Sequence, residues 1–61
     1  MPFITVELLE GRSEEQLKKI VEEVTEVVAT NANEPKENIH VFIKVLKKER
    51  YAVAGKLKSE S

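Results

Sequence analysis

Apolar and polar residues alternate along the first stretch of the chain, from Pro2 to Leu9. Ile4, Val6 and Leu8 fall on one side of an extended backbone and Phe3, Thr5, Glu7 and Leu9 on the other, the period of a strand. Both sides carry large apolar residues, so both are expected to be at least partly covered. Glu10-Gly11-Arg12 interrupts the alternation as a short turn. The period then changes. Ser13-Glu14-Glu15-Gln16 has the spacing of a capping box, with two glutamates in the first turn where the helix dipole favours them. Leu17, Ile20, Val21, Val24, Val27 and Val28 follow at helical spacing as one apolar stripe, while Glu14–Lys18 and Glu15–Lys19 form i,i+4 pairs on the outer face. A helix is predicted from Glu14 to about Asn31, ended by Asn31, Asn33 and Pro35.

Alternation returns over Ile39–Val45, the second predicted strand. Ile39, Val41, Ile43 and Val45 share one face; His40, Phe42 and Lys44 share the other. Leu46–Arg50 reads as a polar loop, Tyr51–Gly55 as a short apolar piece of a terminal hairpin, and Lys56–Ser61 as a frayed end. Strand, long helix and strand make a βαβ unit of α/β (α+β) class, with parallel strands and a right-handed crossover. One helix covers one face of a sheet. The other face, with Phe3, Leu9 and Phe42, has nothing in a single chain to pack on, and two strands with one helix do not make a stable isolated domain. Sheets of neighbouring subunits are therefore expected to meet.

Size sharpens that expectation. The 61 residues allow one domain, spanning 1–61, and a core this small needs disulfides, a metal or oligomerisation. The chain has no Cys, no Asp and one His, which removes thiolate sites and leaves little for a metal cluster, so no metal is expected. Ten basic residues against eleven glutamates give a net charge of −1, which argues against a nucleic-acid binder. Lys44, Lys47, Lys48 and Arg50 form a basic run, but Glu49 interrupts it and no aromatic residue is interleaved with it, so it reads as solvated loop. No apolar stretch approaches the ~20 residues that cross a bilayer, and no signal peptide opens the chain. No membrane partner is expected, and the cytoplasm is the expected address.

The candidate chemistry begins at Pro2. A small second residue is one behind which the initiator methionine is normally clipped, and removal of Met1 would turn the Pro2 nitrogen into a free secondary amine. Such α-amino groups titrate not far above neutrality, and apolar surroundings or a nearby cation would poise one as a base at pH 7. The alternative is that Pro2 only starts a strand, where its missing N–H costs nothing.

With Pro2 in this register, Leu8-Leu9-Glu10-Gly11-Arg12-Ser13 with Glu15-Gln16, the valine-striped helix and Tyr51-Ala52-Val53-Ala54-Gly55, nearly the whole chain resembles the 4-oxalocrotonate tautomerase family of the tautomerase superfamily. The resemblance implies a β-α-β unit with a C-terminal β-hairpin, assembled through its sheets, commonly as a homohexamer (a trimer of dimers) with sites built across subunit boundaries. It implies a cofactor-independent isomerase for small anionic enols or keto acids, acting on 2-hydroxydienoates such as 2-hydroxymuconate. Pro2 would be the general base and Arg12, from a neighbouring subunit, would bind the substrate carboxylate. The Leu9 backbone N–H would help hold the substrate oxygen, and Tyr51 would be an apolar wall, or an aromatic packed at a subunit contact. His40 stands where the best-known members carry a second arginine. It is read either as a smaller substrate-binding donor, cationic only when protonated, or as a strand histidine at the sheet interface. Ala52 and Ala54 stand where family glycines are frequent. A non-catalytic oligomeric scaffold, and a related proline-dependent activity such as arylpyruvate tautomerisation or dehalogenation of unsaturated acids, are the competing readings.

Overall fold

In the computed structural model, which describes residues 1–60, the first strand β1 spans Phe3–Leu9 and the second, β2, spans His40–Leu46. They pair in parallel, Phe3 opposite His40 through Leu9 opposite Leu46. β2 begins and ends one residue later than the alternation predicts. Leu46, read from sequence as the start of a loop, is held in the ladder because its carbonyl accepts the Glu10 N–H at 2.9 Å.

The crossover helix α1, Glu14–Ala32, starts at the predicted capping box. Ser13 Oγ accepts the Gln16 N–H at 3.2 Å, and Gln16 Oε1 accepts the Ser13 N–H at 2.9 Å. Asn33 closes the helix in the left-handed conformation (φ 55°), which Asn tolerates better than most residues, and the Glu34 N–H turns back to the Ala29 carbonyl at 3.1 Å. A 3₁₀ turn at Lys36–Asn38 leads into β2. Lys36 pairs with Glu26 on α1, and the hydrogen bond and charge of Glu26 hold its amine above the ordinary lysine value. Both side chains are exposed, so this pair adds little to stability.

After a second 3₁₀ turn, Lys48–Arg50, strands β3 (Ala52–Val53) and β4 (Lys56–Leu57) form an antiparallel hairpin, and Lys58–Glu60 makes a last turn. The frayed end expected from Lys56 onward is thus ordered through Glu60; Ser61 lies outside the described residues. The two-residue link explains the order. Ala54 (φ 55°) and Gly55 (φ 82°) both take positive φ, as a turn that matches strand twist requires, and the Lys58 N–H closes on the Tyr51 carbonyl at 2.8 Å. Ala54 bears a Cβ in a conformation that costs a non-glycine residue about 1–2 kcal/mol. Ala54→Asn is expected to stabilise each chain by about 1 kcal/mol, because Asn tolerates that conformation, as read by chemical denaturation.

Leu17, Ile20, Val21, Val24 and Val28 of α1 turn toward the sheet and are half-buried, whereas Val27 stays 59% exposed. No residue among those described is fully buried. The protomer exposes 4984 Å², where a compact 6.9 kDa monomer is expected to expose about 4000 Å². Its radius of gyration is 14.7 Å, against about 10.5 Å for a compact chain of this length. Phe3 (65% exposed) and Phe42 (53%) stand on the sheet face away from the helix. Among the described residues, no helix is long and apolar enough to cross a membrane.

Candidate active site

The parallel register sets the geometry of every candidate residue. Pro2 precedes β1 at one corner of the sheet, where its carbonyl accepts the His40 N–H at 3.1 Å. Since proline fixes its own φ, this bond leaves the ring little freedom to turn about ψ. The same corner carries aromatic rings: His40 stacks on Phe3 with centroids 5.1 Å apart and planes inclined by 21°, and Phe3 stacks on Phe42 at 6.4 Å and 18°. His40 Nε2 is enclosed, with no hydrogen-bond partner among the described residues.

Leu9 and Arg12 lie at the other end of β1. At the strand rise, the seven steps from Pro2 to Leu9 span about 23 Å. Arg12 Nη1 donates to the Leu9 carbonyl at 2.9 Å, which folds the guanidinium back over the strand end. In a parallel ladder alternate residues bond the neighbouring strand. The Pro2 carbonyl and the Glu10 N–H both bond β2, so even-numbered residues of β1 face β2. The odd-numbered N–H groups, that of Leu9 among them, face the open edge of β1, where they await a partner. Tyr51 sits at the base of the hairpin, half-buried. The structure therefore brings together Pro2 with His40, and Leu9 with Arg12, but does not bring the two pairs together within a protomer. Two shallow depressions flank α1, one lined by Glu15, Gln16, Lys19 and Glu22 and one by Leu17, Val21 and Ile43; neither touches Pro2, Arg12, His40 or Tyr51. No cluster of metal-ligating side chains occurs among the described residues.

Glu10 has a place that sequence reasoning missed. Its N–H donates to the Leu46 carbonyl at 2.9 Å and its carboxylate accepts the Lys48 N–H at 3.1 Å, so it ties the Arg12 turn to the root of the hairpin that carries Tyr51. Gly11 follows at φ 118°, a conformation open to glycine alone, and lets the chain reverse directly after this tie. A glutamate before Gly-Arg at a strand end was the only sequence signal; its partner is 38 residues away. Glu10→Ala is expected to cost about 1 kcal/mol in denaturation and to speed hydrogen exchange of the Lys48 amide.

A short β-α-β unit with a proline at position 2 and a C-terminal hairpin defines a narrow class. The family model for tautomerase enzymes matches residues 2–61. A probable tautomerase of Listeria monocytogenes is 55% identical over 60 residues, covering 98% of each chain. One of Streptococcus pyogenes is 51% identical over the full length of both. Among solved structures, YwhB, a homologue of 4-oxalocrotonate tautomerase, superposes with a TM-score of 0.93 at 47% identity over 98% of each chain. The chain belongs to the tautomerase family, among the homologues of 4-oxalocrotonate tautomerase.

Proposed function

We propose that this chain, a single domain processed to begin at Pro2, is a cytoplasmic, cofactor-independent tautomerase of small anionic enols and 2-oxo acids such as 2-hydroxydienoates. The Pro2 amine would act as the base. It accepts a proton from the dienol hydroxyl or from a carbon α or vinylogous to the carbonyl, leaving a dienolate, and the resulting ammonium returns that proton to another carbon. One group performs both transfers, so the net reaction moves a proton and consumes nothing. The Arg12 guanidinium would hold the substrate carboxylate and favour the developing oxyanion. As a neighbouring cation it would also lower the proton affinity of the amine. The Leu9 N–H, the last along the open edge of β1, would be offered to the substrate oxygen beyond the pairing of strands, and Tyr51 would wall the site. The enclosed Nε2 of His40 is not offered to substrate.

The observation that carries this reading is the family match that starts at Pro2 and runs to the end of the chain. The geometry adds a condition. Pro2 and Leu9, over which Arg12 folds, lie at opposite ends of one strand, about 23 Å apart along it, so a site using both Pro2 and Arg12 needs Pro2 from one protomer and Arg12 from another. The absence of any buried residue among those described, and the unpaired edge of β1, support assembly through the sheets, which we propose proceeds to a homohexamer. The test is ketonisation of 2-hydroxymuconate or phenylenolpyruvate, followed by absorbance, in wild type and in Pro2→Ala and Arg12→Ala. Both variants are expected to be slower, and equal rates in all three would discard the reading.

A further inference from the structure

We propose that His40 is a positioning residue for Pro2 and that it works through the face of its ring rather than through its nitrogens. The proposal rests on the reading of Pro2 as the base. Three contacts carry it. The His40 backbone N–H holds the Pro2 carbonyl at 3.1 Å, the outermost bond of the ladder at that corner. The imidazole covers Phe3, the residue next in sequence, at 5.1 Å. Phe42, two residues further along β2, stacks on Phe3 in turn at 6.4 Å. Phe3 is therefore held in an aromatic row, and the Pro2–Phe3 peptide is gripped by His40 on both sides, at its carbonyl and at the side chain that follows.

Terminal ladder bonds fray when nothing shelters them, and a near-parallel ring stack beside this one restrains the strand end. With φ fixed by the pyrrolidine, the direction of the Pro2 nitrogen depends on ψ, and ψ depends on that carbonyl bond. A misdirected base loses rate steeply, even when substrate still binds. The Nε2 of His40 is poorly placed for chemistry of its own. Nε2 is enclosed and has no partner among the described residues, whereas a donor to substrate must be reachable from the site.

Steady-state kinetics of the processed oligomer with phenylenolpyruvate separates ring from nitrogen. His40→Asn keeps a polar donor and deletes the ring; His40→Phe keeps a stacking ring and deletes both nitrogens. His40→Asn is expected to lower kcat about tenfold with KM within about twofold, and His40→Phe to restore kcat to within about twofold of wild type. Removal of the unpaired nitrogen should leave His40→Phe at least as resistant to heat as wild type. Phe3→Leu removes the same stack from the other strand and serves if His40→Asn fails to fold; it should lose as much kcat as His40→Asn. The proposal is overturned if His40→Phe falls as far as His40→Asn, if His40→Asn alone keeps the wild-type rate, or if Phe3→Leu keeps it. Pro2→Ala measured alongside separates the two ideas. A full rate in Pro2→Ala would remove the base and this proposal with it, whereas a slow Pro2→Ala beside a fast His40→Asn removes only the role given to His40.

Discussion

Phe42→Glu is expected to abolish the folded state at ordinary protein concentrations rather than to release a folded monomer. Phe42 is 53% exposed in the protomer, on a sheet face that also bears Phe3 at 65% and that the helix does not reach. The protomer has no fully buried residue among those described and exposes about 1000 Å² more than a compact monomer of its mass. A chain of this length is worth only about 3–9 kcal/mol of stability in total. Burying an uncompensated carboxylate where sheets meet costs several kcal/mol, enough to remove most of that. Native mass spectrometry and far-UV circular dichroism should find wild type assembled and helical, and Phe42→Glu both dissociated and unfolded. A dissociated chain that keeps the wild-type helical signal would show that the protomer folds without its neighbours.

The second large effect concerns the Pro2 nitrogen. A chain that retains Met1 holds this nitrogen as an amide, with no basic lone pair, and its kcat/KM is expected to fall by about 10³-fold or more. Pro2→Ala keeps a primary amine at the terminus, so it should fall less, by about 10²-fold. In the role proposed for it, Arg12 makes a charge-assisted contact to the carboxylate, of the order of 2–3 kcal/mol, so Arg12→Ala should lower kcat/KM by about 10²-fold. Absorbance kinetics, with the mass of each purified chain to establish its terminus, reads all three. Wild-type activity in a chain shown to retain Met1 would contradict the role given to Pro2.

Where local rules decide an element, the sequence is a good guide. The capping box at Ser13–Gln16 places the helix start to the residue, because its hydrogen bonds close within one turn. The alternations over Phe3–Leu9 and about Ile39–Val45 give two strands, and the helix between them implies the parallel pairing that the register shows. What sequence missed depends on a partner far along the chain or on a residue in a conformation its type disfavours. Leu46 belongs to β2 because Glu10 reaches it, and Lys56–Leu57 belongs to a hairpin because Ala54 accepts a conformation that its type disfavours. The site follows the same division. Pro2 and Arg12 are candidates from the resemblance, and the predicted strand and turn already set them at opposite ends of β1, whereas the placement of His40 beside Pro2 follows only from the register.

That placement yields the most direct test of a site shared between protomers. Pro2→Ala and Arg12→Ala chains, each impaired alone, are unfolded together in equal amounts and refolded as mixed oligomers. Sites that combine Pro2 of one chain with Arg12 of the other regain both groups, so activity should rise to roughly a quarter of wild type under random mixing, far above either parent. If mass spectrometry finds mixed oligomers and activity stays at the mean of the two parents, Pro2 and Arg12 do not serve one site across a subunit boundary.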